Sequence, residues 1–306
     1  MKKNKRLLIE SGFFPSQLLW ILIIASEYCK NKKIKELVIQ KNQLSIFKNK
    51  LIKKEFKNIK IVLIENLLPF YLKKNFFLYL LLLPKSILLS FFWNKKNLQL
   101  LDWYDYQFYH SIIDTYLSLS KDGIIKPNYL VLLKSIYLNL KKEKIAEYLS
   151  SQNIFAVITS HNVYTVKTFN SVFRKKKIPV FCQAVSNIYR QPEKKDESWN
   201  ILHNSKLREK LIKKTSYSVA HEYWNSKFLG KGDYFDSNLA YKEQIFNRNI
   251  KNIVMLHIIR DSPYLALDKS RIFINYIDWI DHTIKIISKS KEKWYFKIHP
   301  NSKNWG

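Results

Sequence analysis

The stretch KRLLIESGFFPSQLLWILIIASEYCK, residues 5–30, decides how the chain is read. A short apolar run, Lys5 to Glu10, is followed by the breaker SGFFPSQ and then by a helical pattern. Together they predict a strand, a loop and a helix. The same short run returns as KELVI at 35–39 and IKIVLI at 59–64, with helix-like basic stretches between them. This is the rhythm of βα units in a parallel sheet. From about residue 67 to 150 the pattern turns helical and rich in aromatic residues, broken most clearly at KDGIIKPN, 121–128. Strand character resumes with IFAVIT at 154–159, and SHNVYT, a helix to Lys177 and the strand IPVF at 178–181 complete a βαβ unit. A second α/β segment follows Asn249: NIVMLHIIRDSP as strand and loop, IFINYIDWIDHTIKIISKSK as an amphipathic helix, and KWYFKIHP as the next strand. Ile272, Tyr276, Trp279, Ile280, Thr283 and Ile287 recur at helical spacing, which predicts one sheet-facing stripe.

The fold class expected is therefore α/β, with two Rossmann-like domains. The first covers residues 1–205 and carries the helical insertion at about 67–150; the second covers 206–306. From Lys210 onward there are only two convincing strands and one long helix, fewer than a doubly wound domain needs. The second domain is thus expected to be incomplete, and the protein to be truncated at its C-terminus.

With 306 residues and 47% hydrophobic content the protein is able to bury a sizeable core. Its formal charge of +29 points to an anionic partner. Only seven of the 53 basic residues are arginine, however, and the guanine-reading fork is arginine's, so nucleic acid is not an expected partner. Much of the charge reads as a lysine-rich solvated surface in a sequence also crowded with Ile, Asn, Phe and Tyr. Cys29 and Cys182 have neither metal-site nor disulfide-framework spacing and fit a reducing cytoplasm. The N-terminus lacks the long apolar core of an export signal. FFLYLLLLPKSILLSFFW, residues 76–93, approaches the length of a membrane span but has Pro84, Lys85 and Ser86 at its centre. It is expected to form two short core helices split at Pro84 with some membrane-surface contact. The alternative is an interfacial segment whose flanking Lys73, Lys74, Lys95 and Lys96 meet anionic lipid heads.

No GxGxxG, P-loop, HExxH or GxSxG motif is present, and five glycines leave little scope for a backbone phosphate cradle. Three strand-end corners carry the chemistry instead. Glu10 ends the first strand, where it serves as a general base or belongs to a plain βα turn. His161, in SHN after IFAVIT, is placed to bind an acceptor or shuttle a proton. The third corner joins His257, Arg260 and Asp261 after IVML to Lys297, His299 and Ser302 around KIHP. These residues can converge on one anionic group if the two strands are parallel neighbours. Asp261 would orient a histidine or hold a sugar hydroxyl.

LIESGFFPSQLLWILIIAS, ITSHNVYT, HIIRDSPY, FINYIDWIDHTIKII and WYFKIHPNSKNW, in this order, resemble the capsule or surface polysaccharide biosynthesis glycosyltransferases of the GT-B type. The YIDWIDHTI helix and the KIHPNS corner are the most specific parts. The resemblance implies two Rossmann-like domains facing across a cleft, the nucleotide-sugar donor bound chiefly by the second and a glycan or lipid-linked glycan acceptor by the first. In related transferases the histidine of the HP pair contacts the donor phosphate, which maps onto His299. The family's second domain normally continues past this corner. The implied enzyme uses no metal and no cofactor other than the donor substrate, and works in the cytoplasm, peripherally at the inner face of the plasma membrane. Two alternatives stay open: a nucleotide-sugar epimerase or hydrolase on the same fold, and a non-catalytic basic protein that binds membrane or nucleic acid.

Overall fold

The computed structural model describes residues 4–10, 15–92, 106–120, 128–160, 162–184, 187–191, 217–218, 221–222, 225, 250–256 and 276–298. By internal contacts the protein divides into two compact units, residues 1–120 with 125–195, and residues 121–124 with 196–306. The main division thus falls at 195/196, ahead of the expected 205/206.

The first unit is built on a sheet of six strands: β1 (Arg6–Glu10), β2 (Glu36–Ile39), β3 (Lys60–Leu63), β4 (Ile154–Thr159), β5 (Val180–Ala184) and β6 (Asn187–Arg190). Their order is β3-β2-β1-β4-β5-β6, with the first five parallel and β6 antiparallel to β5. The parallel part has the 3-2-1-4-5 order of a Rossmann-like sheet, in which the direction of winding reverses between β1 and β4.

Both faces of the central strands are covered, which is why they read as continuous apolar runs rather than alternating ones. On one face Leu7, Ile9, Leu37, Ile39, Ala156 and Ile158 pack with Leu18, Ile21, Leu22, Ala25 and Cys29 of α1 (Pro15–Lys32). Ile52 and Phe56, from α2 (Lys50–Glu55) and its C-terminal cap, close the same core. At the outer end of β1 the Arg6 guanidinium meets Glu36 at 2.6 Å. Burial pushes the Glu36 carboxyl upward, but hydrogen bonds from Arg6 and Asn4 outweigh it and hold the group below its ordinary value.

Two single-turn helices, α3 (Ile64–Leu67) and α4 (Phe70–Lys73), lead from β3 into three longer ones: α5 (Asn75–Phe91), α6 (Tyr106–Leu119) and α7 (Tyr129–Ser150). These are the expected insertion. After β4 comes α8 (Tyr164–Lys175), which contacts β4 and β5 on one side and α6 and α7 on the other. Every residue of α8 from Val166 to Phe173 is consequently buried, its polar side included. The polar side is accommodated by hydrogen bonding. Thr168 Oγ1 donates to Asn139 Oδ1 of α7 at 2.7 Å, and Lys167 Nζ lies 3.4 Å from Asp114 of α6, with both side chains buried.

Two expectations from the sequence are corrected. Residues 75–91 form one helix with Pro84 inside it, not two helices split there. Proline removes a single N–H and hence one bond to the Leu80 carbonyl, and packing of the inner face on α7 outweighs that loss. Nor is α5 a core helix, because only Leu78, Leu82, Ser86, Leu89 and Ser90 are buried. In addition, β6 occupies a stretch for which no strand was expected. Among the described residues no helix is long and apolar enough to cross a membrane.

In the second unit β7 (Asn252–Met255) and β8 (Trp294–Lys297) pair in parallel, with α9 (Tyr276–Ile287) between them in sequence. Trp279, Ile280, Thr283 and Ile287 of α9 are half-buried and Ile284 and Ile286 exposed, in keeping with the stripe read from the sequence.

Candidate functional site

Ligands of open α/β sheets bind outside the carboxyl ends of the strands, where the winding reverses. Here that place lies between β1 and β4. Glu10 is the last residue of β1 and is in register with Thr159, the last of β4. The two strand ends are tied together beyond the ladder, since Ser160 N donates to Glu10 O at 3.1 Å.

The Glu10 side chain is buried, with 2% of the residue exposed. Its Oε1 accepts from Lys142 Nζ of α7 at 2.7 Å and from Gln40 Nε2, just after β2, at 3.4 Å. Lys142 Nζ also sits 5.5 Å from the ring centroid of Phe169 in α8, a cation–π contact that holds the ammonium in place. Glu10 Oε2 is buried and accepts no hydrogen bond. A carboxylate clamped through one oxygen and unpartnered at the other has an acceptor left to fill, one suited to a hydrogen bond, or a proton, from a hydroxyl.

Gln40 and Glu65 extend this edge. Gln40 N donates to Gln43 Oε1 at 3.0 Å, fixing the turn after β2. Glu65, in the first turn of α3 beyond β3, accepts from Lys41 N at 3.2 Å through Oε1, while its Oε2 is buried and accepts no hydrogen bond.

The corner after β4 is pinned from behind. Asn170 Nδ2 of α8 donates to Thr159 Oγ1 at 3.3 Å and to Asn162 Oδ1 at 3.0 Å, bridging the two sides of the turn. Tyr164 opens α8 with φ of 53°, a left-handed conformation that is costly for a bulky side chain, and its carbonyl accepts from Ser111 Oγ of α6. Close to Lys142 on α7, burial and the Lys142 charge push the Lys141 ammonium down, while burial and then Glu147 push the Glu143 carboxyl up. Lys141 is half-buried and donates to Asn75 Oδ1 at 2.8 Å, tying α7 to the start of α5.

Of the residues singled out from the sequence, Glu10 is the last residue of β1, at the point where the winding reverses. His161 lies outside the described residues, although its neighbours Ser160 and Asn162 are buried at the end of β4. His257, Arg260, Asp261, His299 and Ser302 also lie outside them. Lys297 is the last residue of β8, in register with Met255, and its carbonyl accepts from Leu256 N at 2.8 Å. The two strands on which the third corner was built are thus parallel neighbours. Among the described residues no group of three or more His, Cys, Asp or Glu side chains is placed to hold a metal ion.

Sequence reasoning missed Gln40, Glu65 and Lys142. The first two were findable by the argument that picked out Glu10, since each directly follows an apolar strand run. Lys142 carries no local signal, because it reaches Glu10 from the middle of a long helix 132 residues away. Compared with protein-family models, with curated proteins and with solved structures, the sequence and its fold match none of them.

Proposed function

We propose that the protein is a glycosyltransferase that moves a sugar from a nucleotide-sugar donor to a surface or capsular polysaccharide acceptor. The observation that carries this reading is the buried carboxylate of Glu10 at the reversal point of the 3-2-1-4-5 sheet, clamped by Lys142 and with one oxygen unpartnered. In the proposed reaction Glu10, or His161 at the adjoining strand end, takes the proton of an acceptor hydroxyl as that oxygen attacks the anomeric carbon. The sugar–phosphate bond breaks and the nucleotide leaves with the bonding electrons. His257, Arg260, Lys297, His299 and Ser302 meet the departing phosphate, and Asp261 holds a sugar hydroxyl. The parallel β7–β8 pair supports this division of labour by bringing the two strand ends of the third corner side by side. Residues 206–306 are the nucleotide-sugar side in this reading, and 1–205 the acceptor side.

The test is transfer of radiolabelled sugar to a glycan acceptor from a panel of nucleotide sugars. Glu10→Gln keeps the shape of the side chain and leaves Lys142 partly open to water, so the fold is retained. Turnover should fall by about 10²–10⁴-fold. His299→Ala should raise KM for the donor, and the exposed Lys176→Gln should match the wild type. Full turnover in Glu10→Gln would remove it from the reaction. Donor hydrolysis or epimerisation without acceptor would replace transfer by one of the other reactions open to this fold.

A further inference from the structure

Helix α5 has two apolar faces, and only one of them is packed. Leu78, Leu82, Ser86 and Leu89 face α7, while Phe76, Phe77, Leu80, Leu81, Leu88 and Phe91 are exposed. At about 100° per residue the second set falls on the side of the helix opposite the first. Phe76 is 67% exposed and Phe91 75%. The rings continue the surface beyond the helix: Phe70 meets Phe77 at 5.6 Å between centroids, and Phe91 meets Tyr129, which is followed by the exposed Leu130. A surface helix of a soluble domain turns polar residues outward, and one that is apolar all round belongs in a core or against lipid.

The charge around this face decides what covers it. Residues 66–101 contain Lys73, Lys74, Lys85, Lys95 and Lys96 and no acidic residue; of these Lys85 lies on the α7 side of the helix, near Glu143. Lys73 and Lys74 are exposed at the N-terminal end of the stripe, and Lys74 Nζ lies 5.8 Å from the centroid of Phe70. Two copies meeting through this face would bring like-charged lysines together in molecules that each carry +29. An anionic lipid surface instead accepts the lysines at its head groups and the rings and leucines at its acyl boundary. A helix of 17 residues is about 25 Å long, short of a bilayer's hydrocarbon core, so it lies in the plane rather than crossing.

We infer that the outer face of α5 docks the protein on an anionic bilayer, with Phe76, Phe77, Leu80, Leu81, Leu88 and Phe91 entering the interface and Lys73 and Lys74 on the phosphates. This goes beyond the glycosyl-transfer reading and stands without it, since lipid binding needs no substrate and Glu10→Gln leaves it intact.

The experiment is flotation of the full-length protein with vesicles of phosphatidylcholine alone or with about one-third phosphatidylglycerol. Binding is expected to rise about tenfold or more with the anionic lipid and to collapse as salt goes from about 0.05 to about 0.5 M. Phe77→Ser with Leu81→Ser should weaken binding by about tenfold or more with an unchanged melting temperature, because both side chains are on the surface. Lys73→Gln with Lys74→Gln should remove most of the preference for anionic lipid. A reporter at Leu81→Cys, labelled with a polarity-sensitive dye, should shift to the blue on anionic vesicles; the buried Cys29 and Cys182 do not compete for the label. The inference falls if the wild type does not float, or if the double serine variant floats equally well. It falls too if the dye does not shift on bound vesicles, or if light scattering shows a dimer that the serine variant loses.

Discussion

The two units use the same grammar, parallel strands linked through helices, and differ in how far they bury it. In the first, Leu7, Leu8 and Ile9 of β1 and Ala156 and Val157 of β4 have no exposed surface, because α1 lies on one face and α8 on the other. In the second, Ile253, Met255, Phe296 and Ile298 are exposed along the β7–β8 pair, Ile298 by 65%, and Val254 alone among the described strand residues there is buried. Parallel strands are stable when both faces are covered. Strand pairing alone thus does not make a core; the layers above and below do.

The largest way to test that contrast is to cut a cavity in each unit. Phe173→Ala, in the buried span of helix α8, should cost about 3–5 kcal/mol in urea unfolding, whereas Val254→Ala should cost about 1–2 kcal/mol. Equal costs would show that the second unit is as tightly packed as the first. A slightly smaller effect is expected at the buried polar layer. Lys167→Met removes a counter-charge from Asp114 and should cost about 3 kcal/mol, recovered in large part when Asp114→Leu is added. An unrecovered double variant would mean that the pair acts through geometry rather than charge.

A third effect, absent at neutral pH, is confined to alkaline conditions. Burial pushes the Cys29 thiol up to about 12 from its ordinary 9.0. Above pH 9 the unfolded state releases this proton and the folded one keeps it, so stability should fall as pH rises toward 12 and be unaffected below 9. The slope from this group is about 1.4 kcal/mol per pH unit at most, and Cys29→Ala should reduce the alkaline loss by that share, the remainder coming from groups such as Tyr28 and Tyr137, whose hydroxyls burial also pushes up. Because both cysteines lie in the first unit, the loss should leave the second unit's signal, followed through Trp294, unmoved.

The parallel sheet was legible because each buried strand is a short run of Leu, Ile and Val ended by a polar residue. Glu10 was legible for the same reason. The burial of α8 was not, since Lys167, Thr168, Asn170 and Ser171 form what a helical projection takes for a solvent face. Their partners Asp114, Asn139 and Thr159 come from three other elements, and nothing local announces them. Pro84 misled in the opposite direction: it is a true local helix breaker, overruled by the packing of Leu78, Leu82 and Leu89 on α7. Local pattern reads strands well where burial is symmetric, and fails where a polar face is buried by distant polar residues.

The insertion between β3 and β4 also sets the order in which the sheet can close. Arg6 pairs with Ile154, so β1 has its second neighbour only after the whole helical layer has been synthesised. At ~5–20 residues per second the ribosome takes roughly 5–20 seconds to reach it from the end of β3. During that interval the nascent polypeptide holds β3, β2 and β1 with one side of the central strand unpaired. The fourth strand, β4, is the one that brings Thr159 beside Glu10, so the site forms only after the helical layer, and a chaperone that shields a bare strand edge would find its client here.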